Sequence, residues 1–212
     1  MNTLRAMHFV FFLALLSSTT TLLAQSTVNF GIEGGVNFGN ASTEPNSVSF
    51  SSRTGIMVGA LLEVGFSDVF YFQPEVRYTQ KGAEFSVSSS SGSGTITWKF
   101  DYIEIPLLME AKFGQSEFKP LIFAGPNIGF NLSANVEGSG TGGSASADIK
   151  DQLESIDFAM DFGAGGEYTI NPTTALVASI RYSLGLSDID MDPSSTWKTR
   201  GVQLVAGVKF SM

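Results

Sequence analysis

The chain of 212 residues contains no cysteine and only one histidine, His8. Without cysteine it has no disulfide framework, no thiolate metal site and no thiol for lipid attachment. His8 lies in an N-terminal segment that we expect to be removed, so the mature chain offers no imidazole for a catalytic triad or a metal site. We therefore expect a protein that is not an enzyme and that binds no metal or cofactor.

The chain is also poor in charge, with 15% charged residues against about 25% in typical soluble domains. Its net charge of −8 disfavours nucleic acid as a partner. No segment after the N-terminus approaches the roughly 18 apolar residues of a membrane-spanning helix. A chain with little charge and no long apolar run is expected to alternate apolar and polar residues.

The first 24 residues have the features of a signal peptide. Arg5 provides the positive charge, residues 9–16 are an unbroken apolar run, and Ala24 precedes the expected cleavage site at Gln25. We therefore predict a signal peptide at 1–24 and one exported domain at 25–212.

The mature chain alternates apolar and polar residues with a period of two. In the first segment, Val28, Phe30 and Ile32 share one face, while Asn29 and Glu33 share the other. This period is typical of a β-strand with one apolar and one polar face. The same alternation recurs, so that eight strands are predicted at 28–39, 55–66, 70–81, 96–113, 118–132, 156–168, 176–185 and 201–210.

The fourth segment changes phase between Tyr102 and Ile103, which predicts a β-bulge in that strand. Proline is a difficulty for a closed barrel, because it cannot donate a ladder hydrogen bond. Four prolines lie within or near predicted strands, and further bulges would accommodate some of them: Pro74, Pro106, Pro120 and Pro126.

The connections alternate between short turns and longer polar loops. The turns are at 67–68, 114–116 and 171–172, and the loops are at 40–51, 88–94, 137–150 and 187–198. This is the arrangement of outer-membrane barrels, whose short turns face the periplasm. It predicts that both chain termini are periplasmic.

Eight alternating strands also fit a soluble, lipocalin-like barrel with an apolar interior. The apolar phase here carries almost no charge, whereas charged residues and glycine share the other phase, so we expect the apolar phase to face lipid. Aromatic residues near strand ends are expected to form interfacial girdles, namely Phe70, Phe72, Tyr78, Trp98, Tyr102, Tyr168 and Tyr182. The predicted fold is therefore all-β, an eight-stranded antiparallel up-and-down transmembrane β-barrel in the bacterial outer membrane.

Four strings resemble strands of the PorT-type outer-membrane β-barrel proteins. They are FQPEVRYTQKG at 72–82, YIEIPLL at 102–108, KPLIFAGP at 119–126 and RYSLGL at 181–186. The resemblance covers nearly all of the mature chain in the right order. It implies an eight-stranded outer-membrane barrel, and the family's named member is tied to a protein secretion pathway.

The polar phase concentrates ionisable residues that we expect inside the barrel as a paired network. An ion path or a paired-carboxylate site is the alternative. The candidate residues are Glu33, Glu63, Glu75, Arg77, Glu104, Glu110, Lys119, Asp157, Asp161, Glu167, Arg181 and Lys209, with Lys81 and Lys112 on the same phase.

Two further patterns in the sequence lack a complete motif. The glycine-rich stretch 31–39 lacks the Gly-Lys-Ser/Thr ending of a phosphate loop. Asp188, Asp190 and Asp192 alternate as calcium ligands could, but nothing completes an EF-hand, so a solvated acidic loop is favoured.

Two functions follow from this sequence. In the first, the barrel is a structural or interaction component that contacts outer-membrane lipid and docks another envelope or secretion protein. In the second, it is a narrow channel or a small-ligand-binding barrel.

Overall fold

The computed structural model describes residues 27–44, 50–89, 92–192 and 194–212. The signal peptide predicted at 1–24 lies outside the described residues, so it stays a prediction, as does the domain boundary at residue 25. Within the described ranges, no helix is long and apolar enough to cross a membrane.

The described residues form nine antiparallel strands and one 3₁₀ turn, Lys150–Gln152. Eight of the strands pair in a closed ring in the order β1-β2-β3-β4-β5-β7-β8-β9, and β9 pairs back onto β1. The remaining strand, β6, pairs with β5 outside the ring. The predicted eight-stranded all-β barrel is confirmed. The strands are β1 (Val28–Glu44), β2 (Ser51–Gly65), β3 (Phe70–Ser89), β4 (Gly92–Lys112), β5 (Phe118–Gly140), β6 (Gly143–Asp148), β7 (Ile156–Asn171), β8 (Thr174–Gly185) and β9 (Thr196–Ser211).

The two faces of the barrel wall follow the sequence alternation. On β8, Ile180 is 52% exposed on the outer surface, whereas its neighbour Arg181 is 1% exposed inside. On β1, Ile32 points outward and Glu33 inward in the same way. A soluble barrel would bury its apolar phase, so the lipocalin-like alternative is wrong. A belt of exposed Ile, Leu, Val and Phe is stable against hydrocarbon, as in outer-membrane barrels.

The two ends of the barrel differ as the connections predicted. One end, which we call the turn end, has tight connections at 66–69, 113–117 and 172–173. We call the other end the loop end. There β3, β4, β5 and β6 extend beyond Ile156, the first residue of β7, and form a four-stranded projecting sheet. The projecting sheet comprises residues 84–89, 92–99, 135–140 and β6. Much of the polar segments 88–94 and 137–150 is therefore paired strand rather than loop.

The bulge predicted in β4 is wrong in its position. The register between β4 and β5 shifts at Asp101/Tyr102, but the extra residue is Leu132 on β5, since Asp101 pairs with Ser133 and Tyr102 with Asn131. The pairing of β4 with β3 runs through this region without a shift. The strand β4 therefore keeps one phase throughout, and Phe100 and Tyr102 are fully buried inside the barrel.

The aromatic residues predicted to face lipid divide into two groups. Phe70, Tyr168 and Tyr182 lie exposed on the outer surface, as expected of a girdle. The prediction that Tyr102 belongs to the girdle is wrong, because the uninterrupted phase of β4 directs it inward. Trp98 likewise packs against the interior cluster that contains Tyr102.

The strand prolines are accommodated by gaps in pairing rather than by further bulges. Leu62 and Glu63 of β2 are not paired with Gln73 and Pro74 of β3, and the register of the two strands is the same before and after this gap. Similar gaps flank Pro106 on β4 and Pro126 on β5. Because no residue is inserted, the inward and outward phases are preserved across each proline.

Candidate functional site: the barrel interior

The interior near the turn end holds a compact ion cluster. Lys112 Nζ donates to Glu167 at 2.6 Å and to Glu63 at 2.9 Å. Lys209 Nζ donates to Glu63 and lies 3.5 Å from a Glu110 oxygen. All five side chains are buried, which requires this pairing because an isolated buried charge is costly. We call Glu63, Glu110, Glu167, Lys112 and Lys209 the turn-end cluster.

The three carboxylates of this cluster could hold a metal ion on distance alone. Glu63, Glu110 and Glu167 each offer an oxygen within 4.8 Å of the others. The ammonium groups of Lys112 and Lys209 already lie among these oxygens. The two lysines therefore supply the positive charge that a metal would bring.

An apolar layer lies next to the turn-end cluster, two residues along each strand toward the loop end. Leu108 succeeds Glu110 on the inner face of β4, and Leu61 succeeds Glu63 on β2. Leu108 packs with Leu121 and Phe123 of β5. This layer lies between the turn-end cluster and the charged groups beyond it, together with Gln73, which pairs with Leu108 and donates to Glu75 at 2.8 Å.

The middle of the barrel contains a second and larger ion cluster, centred on Arg77. The Arg77 guanidinium donates to Glu104 at 2.7 Å and to Asp161 at 2.7 Å. Arg181 forms a two-pronged contact with Glu75, at 2.8 and 3.0 Å. The strands of Arg181 and Glu75, β8 and β3, lie on opposite sides of the ring, so this pair crosses the lumen.

The central cluster continues toward the loop end through Lys81. Its ammonium lies 2.8 Å from Glu104 and 3.1 Å from Asp157. Asp157 also accepts hydrogen bonds from Thr199, at 2.7 Å, and from Ser187 in the β8–β9 connection, at 2.9 Å. We call Glu33, Glu75, Glu104, Asp157, Asp161, Arg77, Arg181 and Lys81 the central cluster.

Carboxylates outnumber cations in the interior. The central cluster has five carboxylates and three cations, and the turn-end cluster has three carboxylates and two cations. Both clusters are buried, where uncompensated negative charge is strongly disfavoured. The cations of both clusters are therefore essential to the interior, and the loss of any one of them is expected to be costly.

The loop end is closed by an aromatic cap. Trp98 and Trp197 are in edge contact with ring centroids 5.3 Å apart, and Phe50 stacks on Trp197 at 5.8 Å. Leu153 and Ile189, from the two long connections, pack on the same cluster. The interior thus consists of two ion clusters separated by an apolar layer and covered by a cap, which leaves the central lumen filled.

The structure places eleven of the twelve candidate residues inside the barrel and within these two clusters. The exception is Lys119, which is half-buried at the turn end and has no ion-pair partner among the described residues. It lines a polar pocket of about 330 Å³ together with Lys112, Glu167 and Lys209.

Sequence reasoning missed the aromatic cap and the neutral members of the interior. Thr79 donates to Glu104 at 2.8 Å, and Asn127 donates to the same carboxylate at 3.2 Å. In the sequence, the sign of this cap is that Phe50 and Trp197 stand near the ends of two otherwise polar segments.

The three alternating aspartates have a local structural role. Asp188 Oδ1 accepts from the backbone of Asp190, and Asp190 Oδ1 accepts from that of Asp192. The Ser194 hydroxyl and backbone donate to Asp192 and lower the pKa of its carboxyl. These contacts are typical of Asx turns and account for the spacing without a bound ion.

The lipid-facing belt and the filled, ionised interior define a small outer-membrane β-barrel protein. The family model described as "Outer membrane protein beta-barrel domain" matches residues 23–191, so the chain belongs to this family. This membership supports a location in the bacterial outer membrane. The search of the curated proteins gave no significant match.

Solved structures share the fold at low sequence identity. Neisserial surface protein A is 18% identical, with a TM-score of 0.51 over 85% of this chain and 96% of that chain. OprG from Pseudomonas aeruginosa is 14% identical, with a TM-score of 0.50 over 87% of this chain and 95% of that chain. At these identities the similarity shows the fold alone.

Proposed function

We propose that the protein is a non-conducting, non-enzymatic barrel with a structural or protein-interaction role in the cell envelope. The filled interior is the observation that carries this proposal. Arg77 and Arg181 are nearly completely buried and connect opposite walls of the barrel. An apolar layer on one side and an aromatic cap on the other leave little room for a solute path.

The loop end supports an interaction role. The projecting sheet continues the barrel wall beyond β7 and β8, and its strands pair up to the hairpin turns. The aromatic cap ties three connections together through Phe50, Leu153 and Ile189. A surface that is ordered before binding loses less conformational entropy on docking a partner.

The PorT-type resemblance suggests what such a partner does. Two of the segments that resemble this family, 72–82 and 102–108, contain Arg77 and Glu104 of the central cluster. We propose on this basis that the partner is an envelope or secretion protein. In the corresponding topology, the turn end and both chain termini face the periplasm.

The polar pocket at the turn end favours a second candidate function. Its lining includes the half-buried Lys119 and the buried pair Lys112–Glu167. A pocket of about 330 Å³ with several polar groups suits a small polar ligand. Under this alternative the barrel is a small-ligand-binding or narrowly conducting protein.

A crosslinked pull-down from intact outer membranes tests the interaction role. An affinity tag inserted in the chain between β3 and β4 leaves the β5–β6 hairpin unaltered. We expect one envelope protein to co-purify in a fixed ratio to the barrel. Recovery of the barrel alone at several crosslinker lengths would contradict the proposed role and favour the second candidate.

A further inference from the structure

The strand β6 presents an open sheet edge. Residues Gly143–Asp148 pair with β5 on one side, and no strand among the described residues pairs with β6 on the other. All six residues are exposed. The opposite edge of the projecting sheet is β3, whose pairing with β2 ends at Glu84.

The turn that precedes β6 fixes which of its backbone groups point outward. Only two residues, Thr141 and Gly142, separate the paired residues Gly140 and Gly143. In such a hairpin the pair that flanks the turn exchanges hydrogen bonds, and bonded pairs then alternate with non-bonded ones. The outward-facing amides and carbonyls are therefore those of Ser144, Ser146 and Asp148.

This edge lacks the usual protection against strand addition. Natural sheet edges carry proline, lysine, bulges or covering loops that prevent another chain from pairing. The sequence of β6, GSASAD, has no proline, no basic residue and only small side chains before Asp148. Its backbone is thus accessible along the full length of the strand.

The surroundings of the edge are acidic. Asp148, Asp151 and Glu154 are exposed and have no ion-pair partner among the described residues. Two nearby lysines are engaged, since Lys99 pairs with Glu137 at 2.6 Å and Lys150 donates to the Leu132 carbonyl at 2.8 Å. Two copies meeting edge to edge would bring like charges together, whereas a basic partner would be attracted.

We propose that the β6 edge binds an extended segment of another polypeptide, which adds as a strand and carries basic residues beside it. This proposal rests on the interaction role above and names its surface and the chemistry of its partner. Backbone hydrogen bonds supply the pairing, and the acidic surroundings supply the charge preference.

A synthetic peptide of alternating threonine and valine with a lysine at each end is a suitable probe. Isotope-labelled barrel in micelles is titrated with it, and the amide resonances of β6 are followed. We expect the amides of Ser144, Ser146 and Asp148 to shift and to exchange more slowly with solvent. The same peptide with alternate backbone nitrogens methylated should not bind, and one with glutamate ends should bind more weakly.

Two variants at one position separate backbone pairing from side-chain contact. Ser146→Pro removes an outward N–H and should weaken probe binding about tenfold, because proline is tolerated on a free edge but cannot donate. Ser146→Ala keeps the N–H and should bind as the unaltered protein does. Equal binding by the two variants, or no binding of the probe at millimolar concentration, would overturn the proposal.

The pull-down distinguishes this inference from the general interaction role. If the tagged Ser146→Pro barrel loses a partner that the Ser146→Ala barrel retains, the β6 edge is the docking site. If both barrels retain the partner equally, the interaction role stands and the proposal for β6 is wrong.

Discussion

Replacing Arg77 with methionine is expected to lower the free energy of unfolding by about 3–5 kcal/mol, which is the usual cost of removing one member of a buried ion pair. Methionine retains most of the side-chain volume but removes the positive charge from the centre of the barrel. Glu104 and Asp161 each lose a contact of 2.7 Å, and both are fully buried. The central cluster, already in excess of negative charge, would lose one of its three cations.

Urea unfolding of the barrel in lipid vesicles, followed by tryptophan fluorescence, measures this effect. The matched control is Lys99→Met, which breaks an ion pair of 2.6 Å whose side chains are 37% and 46% exposed. That change should cost no more than about 1 kcal/mol. If Arg77→Met prevents folding, Arg77→Met combined with Glu104→Gln should restore part of the stability. Equal costs for the Arg77 and Lys99 changes would contradict the central cluster.

Gly82→Ala is expected to destabilise the barrel by about 2–4 kcal/mol, through backbone strain and a steric clash together. Gly82 has a φ of +143°, a conformation that residues with a side chain rarely adopt. A Cβ atom at this position would lie 1.9 Å from the carbonyl oxygen of Trp98 on the neighbouring strand. Neither the backbone of β3 nor that of β4 can move away without loss of ladder hydrogen bonds.

The control for this change is Gly138→Ala in the projecting sheet, where nothing lies within 4 Å of the added methyl group. Its effect should stay within about 0.5 kcal/mol. Both variants are compared by their urea midpoints in the same vesicles. A Gly82→Ala protein as stable as the Gly138→Ala protein would show that β3 and β4 are not packed as described.

The sequence was sufficient to predict the barrel because the alternation has a simple physical cause. A wall with lipid outside and ionised groups inside requires Ile180 and Arg181 to point in opposite directions, and the chain repeats that requirement on every ring strand. Burial of the ionisable residues could be anticipated for the same reason. Lys119 is the exception, since it is half-buried in the pocket at the turn end, although its neighbours Lys112 and Glu167 are enclosed.

The details that depend on contacts across the lumen were not accessible from sequence. The sequence pattern predicts the wrong phase for the loop-end part of β4, because the interior there is aromatic and Phe100 and Tyr102 resemble lipid-facing residues. The pairing of Arg181 with Glu75, 106 positions apart in sequence, depends on how the ring closes. The sequence predicts loops at 88–94 and 137–150 because serine and glycine are poor strand formers, whereas pairing with neighbouring strands outweighs that preference in the projecting sheet.

The central claim is that the two ion clusters, the apolar layer and the aromatic cap close the barrel to ions. Current across a planar lipid bilayer tests it most directly, with barrel whose folding is first verified by its heat-dependent gel mobility. A general porin added to the same bilayer at the end verifies that openings can be detected. We predict no openings above the bare bilayer at any voltage the membrane withstands. Steady, reproducible conductance steps from the folded barrel would contradict the closed interior and favour a channel.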